Sequence, residues 1–195
     1  MTDDTAFARL VSLACHDART PLATAYGFAR TLERTLAEPE LRYVSMIASA
    51  ASELGEILDL LSLAARIDDG RWAPELVAVE SGALAEAAAA RGKEGAGDVA
   101  VVGTGVAVRV ATPAAELALA GFARCALRHG GLQRVELQVE GARIAVAPVV
   151  AGVGPILLGD ELRDLGAAVG VRIVHALGGS VALDGERLVV EFRAA

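Results

Sequence analysis

The spacing of apolar side chains changes once along this chain, near residue 70, and that change divides what it can fold into. Before it, apolar or small residues return every three or four positions, the period of a helix with one buried face. Over residues 4–37 the stripe is Val11, Ala14, Ala18, Leu22, Ala25, Ala29, Leu32 and Leu36. Over residues 40–68 it is Leu41, Val44, Ala48, Ala51, Leu54, Leu58, Leu61 and Ala65. Glu38-Pro39-Glu40 interrupts the pattern and places Pro39 at the start of the second helix, while Asp68-Asp69-Gly70 closes it. Two long helices with so short a link form an antiparallel hairpin. A lone hairpin cannot cover both apolar seams, so the spacing predicts a homodimer whose two chains complete a four-helix bundle.

Beyond residue 75 short alternating runs take over. Leu76–Glu80 reads as a strand, and Ser81 is placed to cap a helix running to about Arg91. A glycine-rich loop spans 92–98, and strands 99–102 and 106–110 flank Gly103-Thr-Gly105. Thr112-Pro113 opens a helix to about His129, stopped by Gly130-Gly131. A hairpin of 135–139 and 143–149 follows. Next come a loop at Gly152–Pro155, a helix over 161–177, and a last hairpin around Asp184-Gly185. The expected class is α+β: residues 1–70 a helical hairpin, residues 71–195 a small α/β sandwich of helices on a mixed sheet.

The net charge of −7, with Lys93 the single lysine, lacks the basic stripe of a nucleic-acid binder. No apolar run reaches the roughly 20 residues of a membrane span, and the acidic N-terminus has no secretory n-region. The chain is expected to be soluble and cytoplasmic, with Cys15 and Cys125 as reduced thiols that fit no metal-ligand spacing. No asparagine occurs anywhere in the sequence, which rules out any function that depends on that side chain.

Of the three histidines, His129 and His175 fall near helix ends, where a partial positive charge is favoured, and neither is assigned a role. His16 differs. It lies in the run Ser12-Leu-Ala-Cys-His-Asp-Ala-Arg-Thr-Pro-Leu22, two residues from Ala18 and so about 200° round the helix from the apolar stripe. It should face solvent, with Thr20 a turn further on and Ala23 and Gly27 continuing the face with small side chains. Asp17 can orient the imidazole or take its proton, making the other ring nitrogen a better nucleophile. Thr20 can position a phosphoryl group or a water. Pro21 removes a backbone donor and frees the carbonyl of Asp17. Cys15 reads as a small packing residue. The candidate catalytic residues are therefore His16, Asp17 and Thr20, with no cofactor-binding and no metal-binding residues.

The word His16-Asp-Ala-Arg-Thr-Pro-Leu22 resembles the H-box of two-component histidine kinases. By that resemblance residues 7–68 are similar to a dimerisation and histidine-phosphotransfer domain. Residues 76–193 are similar to the GHKL (Bergerat-like) ATPase domain that follows it. The segment Asp164–Gly179 is similar to that family's second glycine box and the helix after it, and Glu116–His129 lies where its Asn-box should be. The resemblance also implies what is missing. The family's asparagine is replaced at its best-matched positions by Gly121 and Cys125, neither of which supplies a hard oxygen ligand for Mg²⁺. No aspartate occurs between Asp98 and Asp160 to read adenine. The ATP lid shrinks to about ten residues around Pro155–Asp164. This pattern resembles histidine phosphotransferases of the ChpT type, which are dimeric and carry a degenerate ATPase domain. The resemblance implies a phosphorelay protein that shuttles phosphoryl groups between the aspartates of response-regulator receiver domains through a phosphohistidine. The partner receiver would supply Mg²⁺, and a hybrid histidine kinase is a further candidate partner. No sensor, PAS or membrane segment is expected before His16. Two other readings are a divergent histidine kinase and a non-catalytic pseudokinase that docks signalling partners.

Overall fold

A computed structural model describes residues 3–92 and 97–195, with side chains from Phe7 onward. The chain divides into two compact units, one ending at Trp72 and the other beginning at Ala73.

The first unit is a helical hairpin. Helix α1 spans Asp3–Leu32 and α2 spans Glu40–Asp68. The second helix matches its expected range, but the first ends five residues early. Leu36 continues the apolar period, yet Glu33–Thr35 fold into a turn in which the Leu32 carbonyl accepts from both Thr35 and Leu36. The face of α1 turned toward α2 carries buried Ala8, Cys15 and Ala29, with Val11, Ala18 and Leu22 half-buried. Ala14, Ala25 and Leu32 of the expected stripe lie exposed. The inward line thus keeps Val11, Ala18, Leu22 and Ala29 of the expected stripe and adds Ala8 and Cys15, the latter packing as expected. On α2 Ala48, Ala51 and Ala65 are buried. Small residues on both sides let the helices approach closely. Two ion pairs span the hairpin, Arg9 to Asp69 at 3.9 Å and Arg19 to Asp59 at 2.7 Å.

The second unit holds β1 (Val77–Glu80), α3 (Ser81–Gly92), β2 (Asp98–Gly105), β3 (Ala107–Val110), α4 (Thr112–Gly130), β4 (Arg134–Gly141), β5 (Arg143–Ala147), α5 (Gly154–Leu157), α6 (Leu165–Ala176), β6 (Ser180–Asp184) and β7 (Arg187–Glu191). Five strands make a mixed sheet in the order β2-β4-β5-β7-β6, with β2 parallel to β4 and the other pairs antiparallel. Alternation places Val135, Leu137 and Val139 of β4, Ile144 and Val146 of β5, and Leu188 and Val190 of β7 on one face, all buried beneath the helices. The opposite face is polar and carries ion pairs such as Arg143 with Glu191 at 3.3 Å. Helix α4 lies at the centre of the helical layer; Ala118 through Ala123 are all buried, and Phe122 is the largest fully buried side chain.

Several expectations change here. The strand expected at 99–102 runs on through Gly105 as β2, in the large sheet, while β3 pairs with β1 in a separate two-stranded sheet. The loop at Gly152–Pro155 runs into the short helix α5. The expected 161–177 helix starts only at Leu165, because Asp164 caps it by accepting from the Ala167 N–H at 3.0 Å. Most of the expected 92–98 loop lies outside the described residues.

Ser81 opens α3 but its hydroxyl does not cap it. Fully buried, it donates to the Gly141 carbonyl at 2.6 Å and accepts from the Val106 N–H at 3.2 Å, tying the end of β4 to the β2–β3 connection. Gly105 permits the approach, since a Cβ there would lie 2.1 Å from the Ser81 oxygen. Ser81→Ala strands both backbone partners and is expected to cost about 1–3 kcal/mol, measured as a lower urea midpoint with an unchanged slope.

Candidate functional site

His16 stands midway along α1 with its side chain 78% exposed. Its neighbour Cys15 faces α2, which turns the next side chain outward. The His16 Nδ1 lies 3.2 Å from Asp17 Oδ1. A carboxylate beside Nδ1 favours the tautomer with the proton on that nitrogen, which leaves the lone pair on Nε2. Asp17 is itself exposed.

Thr20 lies one turn beyond His16 and is exposed. Its carbonyl accepts from the Thr24 hydroxyl at 2.9 Å. Pro21 sits inside α1, so the Asp17 carbonyl lacks the N–H of its usual helical partner. Ala23 and Gly27 continue the face, and a Cβ built on Gly27 would meet nothing within 4 Å. The expected residues His16, Asp17 and Thr20 therefore share one open surface with room for a protein partner.

The second unit holds a group that sequence reasoning passed over. Cys125 and His129 are four residues apart on α4 and share a helical face. Asp164, at the start of α6, meets them. The three ligating atoms lie within 4.8 Å of one another. Burial, reinforced by the Asp164 carboxylate, pushes the Cys125 thiol up to about 12. His129 Nε2 lies 3.3 Å from Asp164 Oδ2, but off the line that a hydrogen bond requires, and this buried nitrogen has no hydrogen-bond partner. The Cys-x-x-x-His spacing was the readable signal. The third member, from another helix, left none.

Helices α4 and α6 meet backbone to backbone. A Cβ on Gly121 would lie 2.8 Å from the Gly166 carbonyl oxygen, and one on Gly170 would press on the Phe122 ring at 3.0 Å. These are the segments that resemble the Asn-box and the second glycine box. At the best-matched Asn-box positions Gly121 has no side chain and Cys125 a buried thiol, so neither offers a side-chain oxygen.

Residues 8–70 match the family described as His Kinase A (phospho-acceptor) domain. Among solved structures, full-length ShkA, crystallised in complex with AMPPNP, aligns with 96% of this chain and 47% of its own, at TM-score 0.65 and 21% identity. The histidine kinase AdeS of Acinetobacter baumannii aligns over 91% of this chain and 97% of its own, at TM-score 0.56 and 15% identity. The fold is that of a histidine kinase core. The ATP binding domain of PrrB from Mycobacterium tuberculosis covers 62% of the chain and 98% of its own length, at TM-score 0.50 and 22% identity. The core fold thus spans about half the length of ShkA. No curated protein matches the chain. Among the described residues, no helix is long and apolar enough to cross a membrane.

Proposed function

We propose that this histidine kinase core acts in two-component signalling as a phosphorelay histidine phosphotransferase. His16 Nε2 attacks the phosphorus of a receiver's aspartyl phosphate. The N–P bond forms, the acyl O–P bond breaks, and the receiver's carboxylate leaves. Asp17 holds the Nδ1 proton and stabilises the positive charge that develops on the ring. The receiver supplies Mg²⁺, and the reverse step loads a second receiver. The observation that carries this reading is an exposed imidazole oriented by its own neighbour, in a chain whose ATPase-like unit lacks asparagine and closes α4 onto α6.

The hairpin's leftover apolar surface supports a homodimer. Phe7, Leu10, Leu13 and Phe28 on α1, with Tyr43, Met46 and Leu54 on α2, are more than half exposed, a liability that a second copy would cover. Receiver contacts would be modest and transient. A second reading, a divergent histidine kinase, is favoured by one observation: the fold aligns over 96% of this chain with a protein crystallised with AMPPNP.

A calorimetric titration with Mg²⁺-ATP separates the two. No saturable binding is expected for the phosphotransferase. Saturable binding followed by autophosphorylation would establish the kinase instead.

A further inference from the structure

Buried polar side chains almost always find partners, so the orphaned His129 nitrogen beside Cys125 and Asp164 needs a physical explanation. We infer that Cys125, His129 and Asp164 form a binding site for one divalent transition metal of the zinc class, which staples the end of α4 to the start of α6.

The donor set suits such an ion. A thiolate sulfur, an imidazole nitrogen and a carboxylate oxygen are the ligand types that zinc accepts. His129 Nε2 and Asp164 Oδ2, 3.3 Å apart, already stand at the ligand separation of about 3.3–3.8 Å found in a tetrahedral zinc site, and all three donors lie within 4.8 Å, so small side-chain rotations complete the geometry. The carboxylate is already oriented. Asp164 Oδ1 is occupied by the Ala167 N–H at 3.0 Å, which leaves Oδ2 facing His129. Hydrogen bonds of that kind hold a ligand in register for its ion. Three protein ligands leave the fourth position to water.

The charges balance. Binding displaces the thiol proton of Cys125 to solvent, and thiolate plus carboxylate then neutralise a dication. The end of α4 adds the partial negative charge of its last carbonyls. Arg128 Nη1 lies 3.5 Å from Asp164 Oδ2, but its side chain is 70% exposed and free to swing away. The site is separate from His16, which lies in the other unit, and does not depend on the phosphotransfer reading.

The test is a Co²⁺ titration of the untagged, metal-free, reduced full chain, followed by absorbance, with Zn²⁺ as competitor. The expected result is one ion per chain, a thiolate-to-cobalt charge-transfer band with intense tetrahedral d–d bands, and full displacement by Zn²⁺. Cys125→Ala should abolish the charge-transfer band. His129→Gln and Asp164→Asn should each weaken binding at least tenfold, and Asp164→Asn keeps the helix cap. The cobalt affinity and spectrum of Phe28→Ser, in the other unit, should match wild type. A wild-type chain without the charge-transfer band overturns the site, as does a band that survives Cys125→Ala. Should Cys125→Ala not fold, Asp164→Asn decides: unchanged affinity there contradicts the proposal.

Discussion

Replacing His16 with Ala or Gln is expected to remove phosphoryl acceptance, a loss of roughly 10³-fold or more, since no other nucleophile of comparable reactivity shares its exposed face. Stability should stay within about 0.5 kcal/mol of wild type, because an open surface position contributes little to packing. That pairing gives the prediction its force: the thermal melt stays put while transfer disappears. Asp17→Asn should slow loading roughly tenfold to a hundredfold, near the lower end of what a proton-handling group contributes. An amide oxygen can still accept from Nδ1–H but brings no negative charge to offset the positive charge that develops on the ring. Rapid-quench labelling from a phosphorylated receiver, read against circular-dichroism melts, checks both variants.

Phe122→Ala carries the largest expected stability effect. The ring is fully buried in the centre of α4, against Gly170 of α6. Removing it leaves a cavity beneath two helices whose backbones are already in contact at Gly121 and Gly166, so the walls cannot close further. The cost should be about 3–5 kcal/mol, a fall in melting temperature on the order of 10 °C. His16 lies in the other compact unit, in which Phe122 takes no part. At temperatures where the variant's second unit is still folded, the hairpin should keep accepting phosphoryl groups. A variant that melts like wild type would show that α4 and α6 are not packed as described.

The hairpin could be read from the sequence because its information is local. Each helical turn of α2 repeats an apolar residue, and Asp68-Asp69-Gly70 marks its end. The end of α1 was less legible, since Leu36 keeps the period while the backbone has already turned at Glu33. The exposure of His16 followed from helical geometry, and its contact with Asp17 from their adjacency in the chain. The inward line of α1 was harder, because α1 carries two apolar faces and the sequence does not say which meets α2.

What the sequence left open was non-local. Neighbouring β2 and β3 join different sheets, and nothing in Val99–Val110 states which distant strand each will pair with. Ser81 has the residue type and position of a cap, yet burial and the approach of Gly141 and Val106 recruit its hydroxyl elsewhere. The Cys125–His129–Asp164 group was half visible, as a four-residue spacing on one helix. It became a cluster only when α6 brought its cap beside the end of α4.

The central claim is that His16 carries a phosphoryl group delivered by another protein. The most direct measurement mixes the chain with a phosphorylated receiver domain, or separately with Mg²⁺-ATP, and maps the modified residue by mass spectrometry under alkaline conditions that preserve phosphohistidine. The account predicts phosphate on His16 within the receiver reaction and none from ATP. Phosphate on any other residue, or phosphate on His16 that arrives from ATP without a receiver, would contradict it.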